Sequence, residues 1–328
     1  MRYTSTIASI IVVATLLVGC GADSHMKKGD KFFALGEYYD AANQYKKAYS
    51  ATAPKERATR GQRALKLAEC YRRINYTQRA IAAYNNAIRY NQADSMTHLR
   101  LAQQQMKAGS YKEAAKNFQA ALDSLPGNRL AANGLKAARM APEWKEQGSQ
   151  YTVKRENFFN SRRADYSPML AGDNNDQLYF TSTRTEVKGD ELSGITGTKN
   201  GDIFVSTKDE NGKWTKPQDI DTELNSEFDE GACSFSPDGK TMYLTQCTTD
   251  PQYPRYATIC TSTRSDASWG KSTTLELTKD TLSSYAHPAV SPDGEWLYFT
   301  SDMPGGMGGL DIWRVRLTAA GVGGVENL

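Results

Sequence analysis

The amino-acid sequence predicts a multidomain chain of two architectures: an N-terminal solenoid of paired α-helices and an incomplete β-propeller of three blades. A strand–turn–strand phrase, marked by Tyr179, Tyr243 and Tyr298, occurs three times in the second half at two similar intervals. An Ala-rich helical pattern occurs three times between residues 24 and 141. Because sequence repeats at these periods are typical of stacked structural units, each half should be built from several similar units rather than one globular core.

The first element, residues 1–19, is typical of a bacterial lipoprotein signal peptide. Arg2 precedes the apolar run 7–18, which is too short to span a bilayer but fits a signal-peptide core. The run ends in Leu-Val-Gly before Cys20, a sequence that resembles the bacterial lipobox. We therefore expect Cys20 to be acylated and to become the mature N-terminus. Gly21 and Ala22 follow it, with no aspartate next to the cysteine, which favours the periplasmic face of the outer membrane; the alternative is an ordinary cleaved signal peptide.

The charge and the cysteines narrow the choice of partners and compartment. The net charge of +3 arises from 40 basic and 37 acidic residues, a near balance that gives no support to nucleic-acid binding. A periplasmic protein can form disulfides. Cys247 and Cys260 flank one loop and are the candidate pair, and the alternative is that Cys70, Cys233, Cys247 and Cys260 are all small buried side chains.

The second element, residues 20–146, resembles tetratricopeptide repeats followed by a terminal helix. Ala41, Ala80 and Ala114 hold the same position in three successive patterns. The interval from Ala80 to Ala114 equals the tetratricopeptide period of about 34 residues, and the interval before it is slightly longer. The repeat predicts that the first helix of each pair lines a groove. Matching positions gives these groove residues: Glu69, Arg72, Arg73, Gln103, Met106 and Lys107. A mixed basic and polar wall suits a protein segment, whereas the alternative is a solvated helix face.

The third element, residues 147–328, is predicted to contain the three blades. In the second and third blades the hairpin signal is Ser-Pro-Asp-Gly, at 236–239 and 291–294. Proline fixes φ, aspartate bonds its own backbone and glycine takes the positive φ that such a turn requires. Ile203, Ile259 and Ile312 keep the register of the next strand in each blade.

We find no catalytic, cofactor or metal site in the sequence. The glycine-rich run 305–309 leads into a strand rather than a helix and lacks the Lys-Ser/Thr of a phosphate-binding loop. The aspartates Asp202, Asp238, Asp293 and Asp311 are spread over the three blades and form no acidic ladder, so local hydrogen bonding is favoured over calcium binding. His25, His98 and His287 share no catalytic motif. The chain is therefore not expected to be an enzyme.

The blade phrases and the domain order resemble a known family. Ser-Pro-Asp-Gly-x-x-x-Tyr and the Gly-Gly-x-Gly-Gly-x-Asp-Ile-Trp run resemble the TolB-like PD40 (WD40-like) propeller repeat. A lipobox, tetratricopeptide repeats and such a propeller, in this order, resemble the PorE-type lipoproteins of Bacteroidetes. That resemblance implies an OmpA-family protein associated with the type IX secretion system, which would link the machine to the cell wall through a C-terminal OmpA-like domain.

The chain departs from this pattern in its blade number. It has three blades, whereas closed propellers have about 4–8. The resemblance therefore implies C-terminal truncation, and peptidoglycan contact only through a domain absent from this chain. Residues 150–328, expressed alone, are expected to aggregate or self-associate through open β-edges.

The sequence thus favours a non-enzymatic, lipid-anchored scaffold with protein partners in the periplasm or outer membrane. Three alternatives stay open. One is a propeller-gated periplasmic peptidase whose hydrolase domain is missing, and another is a general peptidoglycan-associated envelope lipoprotein unrelated to secretion. The third, a glycan-uptake lipoprotein with tetratricopeptide repeats, is disfavoured by the blade repeats.

Overall fold

The computed structural model describes residues 21–187, 192–220, 224–226, 228–248, 256–264, 268–319 and 321–328, so the predicted lipidation site at Cys20 lies outside the described residues. The chain divides into two compact units. The helical unit comprises Met1–Val153 with Gly194–Gly197, and the sheet unit comprises Lys154–Ser193 with Thr198–Leu328. Within the described residues, no helix is both long and apolar enough to cross a membrane.

The helical unit contains a succession of antiparallel helices. They are α1 (21–34), α2 (Tyr38–Ala51), α3 (Arg57–Arg73), α4 (Thr77–Arg89), α5 (Thr97–Lys107), α6 (Tyr111–Ser124) and α7 (Arg129–Gln147). From α2 onward each helix packs against the next along the chain. The helix pairs expected from the tetratricopeptide spacing are therefore present.

Alanines and aromatic rings form the core of this unit. Tyr45, Tyr84 and Phe118, which hold one repeat position, are at most 2% exposed. The chain comes close to the first of these rings at Gly29, where an added Cβ would lie 2.5 Å from Tyr45. The equivalent positions carry only Ala68 and Ala102. Small residues on α1, α3 and α5 thus let a buried ring pack between the helices.

The last helix is longer than the sequence suggested. Because proline disfavours helix in the residue before it, the sequence predicts a terminal helix over 130–140 that ends before Pro142. In the structure α7 continues through Pro142 to Gln147. Proline removes one hydrogen bond, and the residues that follow it are exposed, so the loss affects only the end of the helix.

The sheet unit contains three four-stranded antiparallel sheets in sequential order. Sheet 1 consists of β1 (Asp165–Ala171), β2 (Gln177–Ser182), β3 (Asp202–Thr207) and β4 (Gln218–Asp219). Sheet 2 consists of β5 (Glu230–Phe235), β6 (Thr241–Thr248), β7 (Tyr256–Thr263) and β8 (Thr273–Thr274). Sheet 3 consists of β9 (Tyr285–Val290), β10 (Trp296–Ser301), β11 (Asp311–Thr318) and β12 (Gly321–Asn327). The first strand of each later sheet packs against the sheet before it.

The two Ser-Pro-Asp-Gly segments form the predicted tight turns. Asp238 accepts hydrogen bonds from the Ser236 hydroxyl at 2.6 Å and the Lys240 backbone N–H at 3.1 Å. Asp293 accepts from Ser291 and from the Glu295 N–H in the same way. These aspartates therefore bond local groups, as expected. The described strands form three open sheets and no closed one, so the propeller itself stays a prediction.

The candidate disulfide between Cys247 and Cys260 does not form in this structure, where both side chains are thiols. Cys247 pairs with Ala257 across β6 and β7, whereas Cys260 pairs with Leu244. The two cysteines are therefore offset by three residues along the ladder, and side chains three apart on a strand point to opposite faces. Burial raises the pKa of Cys70 and of Cys233 to about 12, so these thiols stay protonated.

Candidate protein-binding surface of the helical unit

The predicted groove is best described from one repeat position on the first helix of each pair. Asp30 on α1, Glu69 on α3 and Gln103 on α5 are separated by the same two intervals as the three repeat alanines. The first two positions carry acids, whereas the third carries an amide. This difference matters because the two acids bond other residues of the protein at this position of the groove.

The two acids make the same contact with the second helix of their own pair. The Tyr45 hydroxyl donates to Asp30 at 2.7 Å, and the Tyr84 hydroxyl donates to Glu69. Both tyrosines lie 15 residues after their acid. Burial, and then the hydrogen bond to the neighbouring acid, raise the pKa of Tyr45 and Tyr84, so both hydroxyls stay protonated donors.

A cation from the next pair completes each of these contacts. The Lys66 ammonium lies 2.5 Å from Asp30, and the Arg100 guanidinium lies 3.2 Å from Glu69. Lys66 and Arg100 hold equivalent positions in successive repeats. Burial opposes ionisation of Asp30, but the hydrogen bonds from Lys66 and Tyr45 outweigh it and hold the pKa of Asp30 below its ordinary value. We call each set of acid, tyrosine and next-pair cation an acid bridge.

Two of the predicted groove residues, Glu69 and Arg72, lie at the second acid bridge: Glu69 is its acid, and Arg72 bonds that acid from the same helix. Arg72 donates to Glu69 at 2.9 Å, and the Glu69 side chain is only 15% exposed. Glu69 thus accepts from Tyr84 and Arg72 and pairs with Arg100. These charges are already paired within the protein. Glu69 and Arg72 are therefore less available to bind a partner than the sequence alone suggested.

At Gln103 the acid bridge cannot form. The residue at the position of Tyr45 and Tyr84 in this pair is Phe118, which has no hydroxyl. Gln103 is half-buried, and its amide can both donate and accept hydrogen bonds. Gln103 therefore lacks the tyrosine contact that its repeat equivalents Asp30 and Glu69 make. Of the six predicted groove residues, it is the one best suited to bond an external partner.

The other three predicted groove residues, Arg73, Met106 and Lys107, contact different parts of the helical unit. The Arg73 guanidinium stacks over Phe33 at 5.3 Å and over Tyr38 at 4.9 Å, an arrangement that favours an extended side chain. Lys107 is exposed and donates to Asn75 at 3.0 Å. Met106 is partly buried against the core of the third pair. Arg73 and Lys107 therefore supply positive charge at this wall.

Asp30, Lys66 and Arg100 were not predicted from the sequence. The signal was present, since applying the repeat intervals to Glu69 leads to Asp30 and Gln103. The spacing alone does not show which charges face each other, because that depends on how consecutive pairs pack.

His25 and His98 also occupy equivalent positions in the repeat: each bonds an amide 19 residues later, Gln44 and Asn117, at 2.8 Å. These two histidines therefore hold helix pairs together.

The sheet unit has its own concave feature, a cavity of about 630 Å³. Arg162, Arg163 and Lys216 line it, with Glu186 as an acid. Arg184 also lines the cavity, but its guanidinium pairs with Asp165 at 2.9 Å, and both side chains are largely buried. The cavity can attract anionic groups through its exposed cations.

Within the described residues, no group of three or more His, Cys, Asp or Glu side chains could hold a metal ion.

Comparisons with known proteins find likenesses only to solved structures. No protein-family profile and no curated protein matches the chain. A C-terminal TPR-containing domain of an FK506-binding protein from Plasmodium falciparum is 19% identical, covering 40% of this chain and 94% of that one, with a TM-score of 0.36. The second TPR domain of human RPAP3, in complex with an HSP70 peptide, is 22% identical over 38% and 98%, with a TM-score of 0.32. The Sgt2 TPR domain from Aspergillus fumigatus is 18% identical over 43% and 91%, with a TM-score of 0.32.

Proposed function

We propose that this protein is a non-enzymatic scaffold that holds a protein segment against the third helix pair of its helical unit. The observation that carries the proposal is the contrast within one repeat position. Asp30 and Glu69 are tied into acid bridges, whereas Gln103 has no tyrosine to bind it. Stacked helical repeats present extended surfaces of this kind to protein partners.

The surroundings of Gln103 specify the segment by its chemistry. Lys107 lies four residues further along α5 and therefore on the same face of the helix. Its ammonium is exposed. A segment with a backbone or side-chain amide for Gln103 and a carboxylate for Lys107 would match both groups. We infer that the partner offers an extended acidic or polar stretch rather than an apolar helix.

The proposed location is the periplasmic face of the outer membrane, through lipid chains on Cys20. The support is the apolar run 7–18 followed by Leu-Val-Gly-Cys. Several acyl chains would hold the protein firmly, because each buried CH₂ contributes about 0.8 kcal/mol. Association with a type IX secretion system, as in PorE-type lipoproteins, rests on the order of the sequence features. In this proposal any attachment to peptidoglycan depends on a domain outside this chain.

The anchor is tested by replacing Cys20. We expect the wild-type protein to incorporate a labelled fatty acid and to sediment with outer membranes, and Cys20→Ala to do neither, because the acylated thiol is lost. Cys247→Ala serves as the matched control, since it removes a thiol outside the lipobox. Incorporation of the label by Cys20→Ala would contradict the proposed anchor.

The scaffold function is tested by chemical crosslinking of envelopes from the native host, followed by purification of the lipidated protein. We expect one or a few envelope proteins to be recovered with the wild type and lost with Gln103→Arg, which places a bulky cation beside Lys107. Gln119→Arg is the control, because Gln119 is an exposed glutamine on α6. Recovery of the same proteins with Gln103→Arg would place the binding surface elsewhere.

A further inference from the structure

The packed part of the helical unit begins directly after the predicted lipidation site. Gly21, the residue that follows Cys20 in the chain, already belongs to α1. Ala22 is 2% exposed, and the Asp23 carboxylate pairs with the Arg63 guanidinium of α3 at 2.7 Å. The first turn of α1 is therefore held against the other helices, and the described structure leaves no spacer between them and Cys20.

The ion pair with Arg63 shows which end of the helical unit lies beside the first residues of α1. One antiparallel helix separates α1 from α3, so these two helices run in the same direction. Each step from Asp23 toward Gly21 is therefore matched by a step from Arg63 toward Arg57. The Arg63 guanidinium also donates to the Ala48 carbonyl, near the end of α2, at 3.0 Å. The start of α1 thus lies at the same end as the end of α2 and the start of α3.

The end of α4 packs against the same part of α3. Gly61 has no side chain, and a Cβ placed there would lie 2.8 Å from the Tyr90 side chain and 2.5 Å from that of Gln92. The lack of a side chain at Gly61 lets the two segments approach closely. We call residues 49–60 and 89–92 together the anchor end of the helical unit.

The anchor end presents cations stacked on tyrosine rings. The guanidinium groups of Arg57 and Arg89, both exposed residues, lie 5.5 Å and 4.9 Å from the ring centre of Tyr90. The guanidinium of Arg60 lies 4.4 Å from the ring centre of Tyr49. Stacking of this kind keeps the arginine side chains extended beside the rings.

The charge of the anchor end is positive. Lys55 is exposed and adds to the three arginines, whereas the sequence of these two segments contains one acid, Glu56. The acids nearby in the chain, Asp23 and Asp94, are each paired with an arginine. Cations therefore outnumber acids at the end of the unit from which Cys20 extends.

We propose that the anchor end lies on the surface of an anionic phospholipid membrane. Each lysine or arginine beside such a surface strengthens binding about fivefold, and tyrosine is enriched at the boundary between membrane and water. A basic patch and a lipid anchor together hold a protein more firmly than either alone. This inference rests on the proposed acylation of Cys20, because that anchor brings α1 to the membrane.

Vesicle binding tests the proposal without the lipid anchor. The mature chain from residue 20, carrying Cys20→Ala, is mixed with vesicles of phosphatidylcholine alone or of equal parts phosphatidylcholine and phosphatidylglycerol. Sedimentation measures the bound protein. We expect binding only to the vesicles that contain phosphatidylglycerol, and loss of that binding at about 1 M salt, because salt screens the attraction between exposed charges.

Two matched double variants locate the contact. Arg57→Glu with Arg89→Glu should weaken binding to the phosphatidylglycerol vesicles at least about twentyfold, since two attractive charges are lost and two repulsive charges are added. Arg79→Glu with Lys112→Glu makes the same change of charge at exposed residues of the opposite end, in the first turns of α4 and α6. This control should weaken binding less than about threefold, because its charges lie beyond the screening length. Circular dichroism should show the same helix content in all three chains.

Binding to both kinds of vesicle, or to neither, would overturn the proposal, and so would equal weakening by the two double variants. The result is independent of the fatty-acid label at Cys20. A protein that incorporates the label but does not bind phosphatidylglycerol vesicles keeps its proposed anchor and loses only the surface contact inferred from the anchor end.

Discussion

Replacing Arg184 by Met is expected to destabilise the sheet unit by about 3–5 kcal/mol, the usual cost of breaking a buried ion pair by removing one partner. Arg184 pairs with Asp165 at 2.9 Å, and the two side chains are 11% and 7% exposed. The same guanidinium lies 4.5 Å above the Phe204 ring and donates to the Phe159 carbonyl. Methionine keeps the apolar stem but leaves the Asp165 carboxylate without its cation. Urea unfolding followed by tryptophan fluorescence measures the loss, because four of the five tryptophans lie in this unit.

The pH dependence separates loss of charge pairing from loss of packing. Burial opposes ionisation of Asp165, but hydrogen bonds from Ser182, Ser161 and Arg184 hold its pKa below the ordinary value of 3.8. That stabilisation is fully present above the ordinary pKa and is lost as the pH falls through the lower, folded-state pKa. The difference between wild type and Arg184→Met should therefore narrow below about pH 4. Arg316→Met breaks an exposed pair with Glu295 and should cost at most about 1 kcal/mol. A loss for Arg184→Met no larger than this control would contradict the assignment.

Replacing Glu69 by Ala is expected to destabilise the helical unit by about 2–4 kcal/mol, because the change removes one acceptor shared by three donors. Those donors are Tyr84, Arg72 and Arg100. Hydrogen bonds to charged groups contribute about 1.5–3 kcal/mol each, and the fully buried Tyr84 would lose its partner. Urea unfolding followed by circular dichroism at the helical minimum measures this effect.

The repeat itself supplies the controls for Glu69. Tyr84→Phe removes one of the three donors and should cost about half as much. Gln103→Ala, at the equivalent position of the third pair, should cost about 0.5 kcal/mol or less, because no acid bridge forms there. Equal losses for Glu69→Ala and Gln103→Ala would mean that the second acid bridge does not stabilise the unit.

Repetition explains how much of the fold could be predicted. The helix pairs could be predicted from Ala41, Ala80 and Ala114, because small residues are required wherever two helices approach closely. The turns at 236–239 and 291–294 carry the residue types that their backbone conformation demands, so the hairpins followed from the sequence. In the structure each of these two turns joins the first two strands of its sheet.

The site was predicted less well, for a physical reason. The repeat places Glu69 and Gln103 at equivalent positions. It does not show that a tyrosine hydroxyl and a cation from the next pair bind the Glu69 carboxylate. The predicted disulfide between Cys247 and Cys260 is wrong for a similar reason. Closeness in sequence does not show on which face of the sheet a side chain lies. Contacts between neighbouring repeats or strands depend on register and packing, which the sequence of a single repeat does not encode.

Binding of a protein segment at Gln103 is the central property proposed for this protein. Its most direct test is photo-crosslinking in intact cells, with a benzoylphenylalanine placed at Gln103 in one strain and at Gln119 in another. We expect a discrete crosslinked band from position 103 and none from position 119, with the partner read by mass spectrometry. Equal crosslinking at the two positions, or none at position 103 when the lipidated protein is present at normal levels, would contradict the account.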